Sequence, residues 1–437
     1  MDARRTLVGC CLAASVALGA SSSAIRPEPV EGPPPAYDYT IVDPLAATVV
    51  GTPPAQAAAV PDEINRDQLT LTVFPDREIP EIFWYADELR FSLVYQVEPA
   101  PLIFLVPGTG AGPDSIKSEY LQKALFQAGY HVISLASPAE PEFIITASTT
   151  GITGRPQDDA RDLYRVMQLA YEKVKDRIQV EGFHLLGYSL GAWDAAFVAH
   201  LDAQEKALDF DKVLLINPPV SLYTSAQILD KMLDDNIPGG SGNIGVLFGR
   251  LINQFTGYYQ QSDQLNFSSD YLLYNLYTRL EPSDEELEAL IGLAFRFTSA
   301  NLVFTSDVVT NSGLIVPKNL ELGPASSLTE YFEVSIRTTF IDYFDDLYYP
   351  YFKEKDPTIT RQDLIDEASL QSIRDFLANA EHVGLMTNED DIILAPGQIE
   401  YLEEMFGDRA QVWPTGGHMG NLGSRAVTAH VVDYFRL

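Results

Sequence analysis

The sequence predicts an α/β protein: a mainly parallel central sheet flanked by helices and interrupted by a mostly helical insertion. Short apolar runs alternate with amphipathic stretches over residues 66–221 and again over 381–437, as strands joined by crossover helices require. Between them, over 222–380, strand signals thin out and helical spacing takes over. The third observation is local. The apolar run Phe183-His184-Leu185-Leu186 leads into Gly187-Tyr188-Ser189-Leu190-Gly191 and then an Ala-rich segment from Ala192 to His200, which reads as strand, tight turn and helix with a serine at the apex.

In chain order, Arg4 and Arg5, the apolar stretch Leu7 to Ala20 and the small residues Ser21-Ser22-Ser23-Ala24 fit a signal peptide over 1–24, cleaved after Ala24. Export to the periplasm or the medium is the expectation. Both cysteines, Cys10 and Cys11, lie inside this segment, so the remainder of the chain has neither disulfides nor thiol chemistry. Leu7-Val8-Gly9-Cys10 is similar to a lipoprotein box, yet it leaves too short an apolar run before the cysteine, and lipid anchoring is the minor alternative. No later stretch approaches about 18 uninterrupted apolar residues, so no transmembrane segment is expected in the mature chain.

Residues 25–65 are rich in Pro and Ala, with Gly32-Pro33-Pro34-Pro35 and Gly51-Thr52-Pro53-Pro54, and read as an extended segment along the surface. Strands are expected at Leu69–Phe74, Leu89–Tyr95, Leu102–Val106 and His131–Leu135. Helical spacing from Ser118 to Ala128 stops at Gly129. After Pro156, apolar residues at Ala160, Leu163, Tyr164, Met167, Ala170, Tyr171 and Val174 mark one face of a helix. Val213-Leu214-Leu215-Ile216 reads as a buried strand that closes the first part of the core.

In the insertion, Ser283-Asp284-Glu285-Glu286 is a capping box, and Thr360 can cap another helix. Its aromatics, Tyr258, Tyr259, Tyr271, Tyr274, Tyr277 and the run from Tyr343 to Phe352, are expected mainly in a packed core, with a few lining an apolar pocket. Strands resume at His382–Met386 and Gln411–Trp413, and Ala426–Phe435 closes the chain as a helix.

The chain has 437 residues, 46% of them hydrophobic, and a net charge of −32. So negative a field repels phosphate backbones, which argues against nucleic-acid partners, and anionic lipid headgroups.

A serine hydroxyl becomes a nucleophile when it is held exposed beside a base. The chain has six histidines. His131, His184 and His382 sit in or beside strands and His200 and His430 on helices, whereas His418 lies in Thr415-Gly416-Gly417-His418-Met419-Gly420, a loop able to reach another strand's turn. Such a base needs an acid that holds its tautomer. Asp391, in the turn after the strand Val383-Gly384-Leu385-Met386, falls where that acid is expected, with its neighbour Asp390 as the alternative. Acyl transfer also needs N–H donors for the oxyanion. Leu190 should supply one, and Thr109, in Pro107-Gly108-Thr109-Gly110, the other. The glycines of that loop do not form a dinucleotide fingerprint, because Pro113 stands where it needs Gly. No metal-ligand cluster is visible, and no cofactor is expected.

Gly187-Tyr188-Ser189-Leu190-Gly191, Asp391 and His418, in that chain order, resemble the α/β-hydrolase fold superfamily over about residues 66–221 and 381–437. The resemblance implies Ser189 as nucleophile, His418 as base, Asp391 as orienting acid, Thr109 and Leu190 as the oxyanion hole, and the helical block 222–380 as a cap. Pro107 departs from the pattern, standing where many relatives carry His before the Gly. The implied function is an exported serine hydrolase that cleaves small-molecule or lipid-like carboxylic esters through an acyl-enzyme. An acyltransferase, thioesterase or peptidase on the same triad is the alternative, and a non-catalytic binding protein on a hydrolase fold is the reading from another class.

Overall fold

Among the described residues, eight strands form one sheet in the order β1-β2-β4-β3-β5-β6-β7-β8. They are β1 (Asp67–Leu71), β2 (Leu89–Val94), β3 (Ala100–Val106), β4 (His131–Ser134), β5 (Val180–Tyr188), β6 (Lys212–Ile216), β7 (Val383–Asn388) and β8 (Ala410–Trp413). Strand β2 pairs antiparallel with both β1 and β4, and every later pairing is parallel. The computed structural model describes residues 35–237, 243 and 282–436. The expected signal peptide, both cysteines, and Tyr258, Tyr259, Tyr271, Tyr274 and Tyr277 lie outside the described residues.

Alternation along the central strands divides the core between the two faces of the sheet. On β3, Leu102, Phe104 and Val106 point to one face, where they meet Leu163 and Met167 of the helix Pro156–Val174 and Trp193 of the helix Leu190–Glu205. Ile103 and Leu105 point to the other, against Leu121 and Leu125 of the helix Ile116–Gln127 and Val431 and Phe435 of the last helix, Arg425–Phe435. Strands covered on both faces read as continuous apolar runs, and for that reason these were legible in the sequence.

Between β6 and β7 the described residues are mostly helical, and they include the helix Leu222–Asp234 and the long Asp284–Thr310. The Ser283 capping box forms in both directions, and so does one at Thr360 with Asp363. These two helices meet closely: a Cβ built on Gly292 would lie 2.4 Å from the Leu233 backbone nitrogen. Arg296, 1% exposed, donates to the buried Asp230 through Nε at 2.9 Å and Nη2 at 2.6 Å. Tyr343, Phe344, Tyr348 and Phe352 pack into a buried cluster with Ile145 and Ile152 of the sheet domain.

One sequence expectation needs correction. The segment expected to be extended contains a helix, α1 (Pro44–Val50), capped by the Asp43 side chain, with Ala46, Ala47 and Val50 buried. Its Ala-Ala-Thr-Val-Val run is too short for helical periodicity to stand out. The helix Asp284–Thr310 is long and apolar enough to cross a membrane by length and composition alone, a property that a core helix shares. Its Ser and Thr residues interrupt the apolar run, and 44% of its most apolar window is buried inside the fold.

Candidate active site

Ser189 is the single residue between β5 and the helix that follows, at φ 55 and ψ −126. A non-glycine residue there is strained by about 1–3 kcal/mol and is held only by its surroundings. The flanking glycines allow the turn to close. A Cβ on Gly187 would lie 2.0 Å from the Gly191 carbonyl oxygen, and one on Gly191 would lie 2.3 Å from that of Val106. The Tyr188 hydroxyl, 3.0 Å from Ser115 Oγ and 3.1 Å from Ser118 Oγ, anchors the strand end.

The other predicted side chains arrive from the C-terminal ends of neighbouring parallel strands, where ligands bind in open α/β sheets. Nε2 of His418, in the loop after β8, is 2.8 Å from Ser189 Oγ. Its Nδ1 is 3.0 Å and 3.2 Å from the two oxygens of Asp391, in the turn after β7. A carboxylate can only accept, so Nδ1 carries the ring proton and Nε2 is free to accept from the serine hydroxyl. The Asp391 side chain is fully buried, while that of His418 keeps 16% exposure.

Asp390 faces elsewhere. Its oxygens accept from the backbone nitrogens of Gly416 at 3.1 Å and Gly417 at 2.8 Å, and burial pushes its carboxyl above the ordinary range. It braces the histidine loop rather than the ring. That loop needs bracing, since Gly416, Gly417 and Met419 all have positive φ, at 140, 55 and 66.

The loop after β3 lies against the serine: a Cβ on Gly108 would come within 3.1 Å of Ser189 Cβ. Thr109, the next residue, and Leu190 line the same narrow apolar cavity of about 50 Å³, together with Leu222, Ala226, Leu302 and Tyr343 from the insertion. A cavity of about 590 Å³ borders Asp391 from behind, among Glu389, Glu400 and Glu403, away from Ser189 and His418.

The remaining histidines are placed for packing. Burial pushes His184 down to about 4 and lowers His131, His200, His382 and His430 as well, which disfavours the protonated state a base must reach. Among the described residues, no group of three or more His, Cys, Asp or Glu side chains is placed to hold a metal ion.

Sequence reasoning missed several supports of the site. Asn217, directly after β6, donates through Nδ2 to Asp391 Oδ2 at 2.7 Å. Asn388 Nδ2 donates to the Gly417 carbonyl at 2.7 Å, and Thr48 Oγ1 accepts from the His418 backbone nitrogen at 2.8 Å. The position of Asn217 immediately after an apolar strand, like that of Ser189, was the one available signal.

No family model matches the chain, and no curated protein matches it. Solved structures do. A putative hydrolase from Legionella pneumophila aligns at 12% identity over 90% of this chain and 93% of its own, with a TM-score of 0.46. A thermostable carboxyl esterase from Bacillus coagulans aligns at 12% identity over 85% and 96%, with a TM-score of 0.37. The thioesterase domain of the curacin biosynthetic pathway aligns at 10% identity over 84% and 99%, also with a TM-score of 0.37.

Proposed function

We propose that this chain is an exported serine hydrolase of the α/β-hydrolase fold that cleaves carboxylic esters through Ser189, His418 and Asp391. The observation that carries the reading is the continuous chain of contacts from Asp391 through the His418 ring to Ser189 Oγ, on a strained serine turn.

Ser189 Oγ attacks the ester carbonyl carbon as His418 Nε2 takes the hydroxyl proton. The carbonyl electrons move onto oxygen, where the N–H groups of Leu190 and Thr109 stabilise the developing charge. Leu190 opens a 16-residue helix, whose N-terminus favours negative charge there. Asp391 stabilises the imidazolium, which then gives its proton to the departing alcohol. The acyl-enzyme is resolved by water in the reverse sequence: His418 removes a proton from water, the hydroxide adds to the acyl carbon, and Ser189 leaves with its proton restored.

The acyl group enters the apolar cavity between the sheet domain and the helices of residues 222–380, which act as a cap. Substrates are small-molecule or lipid-like esters, with no cofactor and no nucleic-acid partner, and the mature chain begins after Ala24. The test is turnover of p-nitrophenyl esters of graded acyl length beside matched amides and thioesters. Ester turnover that depends on Ser189 supports the reading. A preference for amides or thioesters, or transfer to an added alcohol in place of water, would move the activity to the peptidase, thioesterase or acyltransferase reading.

A further inference from the structure

We propose that the segment before β1 is a clasp on the histidine loop, and that Thr48 in it is a positioning residue for His418. This inference rests on the hydrolase reading above. Residues 37–58 follow the loop along its length. The Tyr37 ring stacks on Trp413 with centroids 4.8 Å apart, and its hydroxyl donates to the Thr415 carbonyl. Thr52 Oγ1 donates to the Gly420 carbonyl at 2.9 Å and accepts from the Gly423 nitrogen at 3.1 Å. Ala58 N donates to the Gly423 carbonyl at 2.8 Å, and Arg425 N to the Gln56 carbonyl at 3.1 Å. Helix α1 lies directly against the loop: a Cβ on Gly417 would fall 2.2 Å from the Pro44 carbonyl oxygen, and one on Gly420 2.0 Å from that of Ala47.

Thr48 sits where this clasp touches the chemistry. Its Oγ1 donates to the Pro44 carbonyl at 2.7 Å, which leaves the oxygen lone pairs turned to the His418 N–H at 2.8 Å. The backbone before the His418 ring is therefore gripped on two sides, the Gly417 nitrogen by Asp390 and the His418 nitrogen by Thr48. With Gly416, Gly417 and Met419 all at positive φ, the loop's own backbone preferences do little to hold that geometry. Aim at Ser189 Oγ depends on the direction of the His418 Cα–Cβ bond, and small misplacements of a catalytic group are costly. The proposed base is thus set by a segment that lies outside the sheet, over 360 residues away in sequence.

The test uses the full mature chain and three proteins: wild type, Thr48→Val and Thr48→Ser. Thr48→Val keeps the side-chain shape and removes the acceptor, and should lower kcat by about 10- to 100-fold with KM unchanged, since no residue of the acyl cavity is altered. Thr48→Ser keeps the hydroxyl and should recover kcat to within about 3-fold of wild type. The rate of fluorophosphonate labelling at Ser189 should follow kcat. If Thr48→Val does not fold, Tyr37→Phe, which releases the Thr415 carbonyl, should give a smaller loss of the same kind, in kcat alone. A loss confined to KM, an unchanged labelling rate in Thr48→Val, or an equal loss in Thr48→Ser overturns the clasp. If wild type itself does not label at Ser189, the hydrolase reading fails instead, which separates the two.

Discussion

Asn217 donates its side-chain amide to Asp391 Oδ2 at 2.7 Å, from the end of one strand to the turn after the next. Asp391 is thereby held from two directions: Asn217 takes one oxygen, while the other faces His418 Nδ1 and accepts from the Ile393 nitrogen at 3.2 Å. Asn217 itself adopts φ 48, which asparagine tolerates better than most residues. Replacing it with Ala leaves a buried carboxylate oxygen short of a donor and should lower kcat by about 10-fold, with a loss of stability on the order of 1–3 kcal/mol. Steady-state kinetics and a urea melt would check both.

The two adjacent acids should separate by kind of defect. Asp391→Asn deprives His418 of its tautomer control and should cost on the order of 10⁴ in kcat with the fold intact. Asp390→Asn places an amide where two backbone N–H groups converge, so it should lower thermal stability and reduce kcat only modestly, by about 10-fold or less. Equal kcat losses in the two variants would mean that loop bracing and ring orientation are one function.

Why the sequence predicted the serine, histidine and acid but not their supports follows from the physics of each. Ser189 stands in a turn whose geometry demands glycine on both sides, a local signal. His418 is the histidine placed in a glycine-rich loop, and Asp391 follows a buried strand closely enough to count from its end. Asp390 and Asp391 were not separable by counting alone, because which carboxylate meets the ring depends on the turn Glu389–Asp391 and on the backbone nitrogens of Gly416 and Gly417. Thr48 and Asn217 act across 370 and 174 residues of sequence; nothing local distinguishes Thr48 from an ordinary polar residue, and Asn217 shows only its place directly after an apolar strand. Helix α1 was missed for a related reason. It is short, and tertiary packing of Ala46 and Ala47 sustains it more than propensity does.

The contribution of Glu140 to stability should fall as pH rises through the weakly acidic range, opposite in sense to that of the five histidines that burial holds neutral. Burial, with the Glu142 carboxylate second, pushes the Glu140 carboxyl up from 4.5 to about 7 in the folded chain. The folded state therefore binds this proton more tightly than the unfolded state, so the contribution is complete below 4.5 and is lost by about 7. Glu88 and Glu119 shift downward, and their contributions change only below the ordinary carboxylate range. Between about pH 5 and 7 the unfolding free energy of wild type should fall relative to that of Glu140→Gln, in which Phe143 N keeps an acceptor, by on the order of 2 kcal/mol, the histidine contributions being common to both proteins. Parallel urea melts of both proteins across that range would measure the difference.

Chain-length preference should respond to the half-buried Leu302, which lines the cavity beside Thr109 and Leu190. Leu302→Ala opens room for about three methylenes at about 0.8 kcal/mol each, so kcat/KM should rise for longer p-nitrophenyl esters and stay near wild type for the acetate. An unchanged length profile would place the acyl group outside this cavity.

Intact-mass measurement after exposure to a fluorophosphonate, on wild type and Ser189→Ala, tests the central claim most directly. Wild type should gain one phosphonyl adduct, mapped to Ser189, and lose ester hydrolysis in step. Ser189→Ala should gain none and fall in kcat by on the order of 10⁶. An adduct that persists on Ser189→Ala, or hydrolysis that survives the substitution, would contradict the assignment of Ser189 as nucleophile.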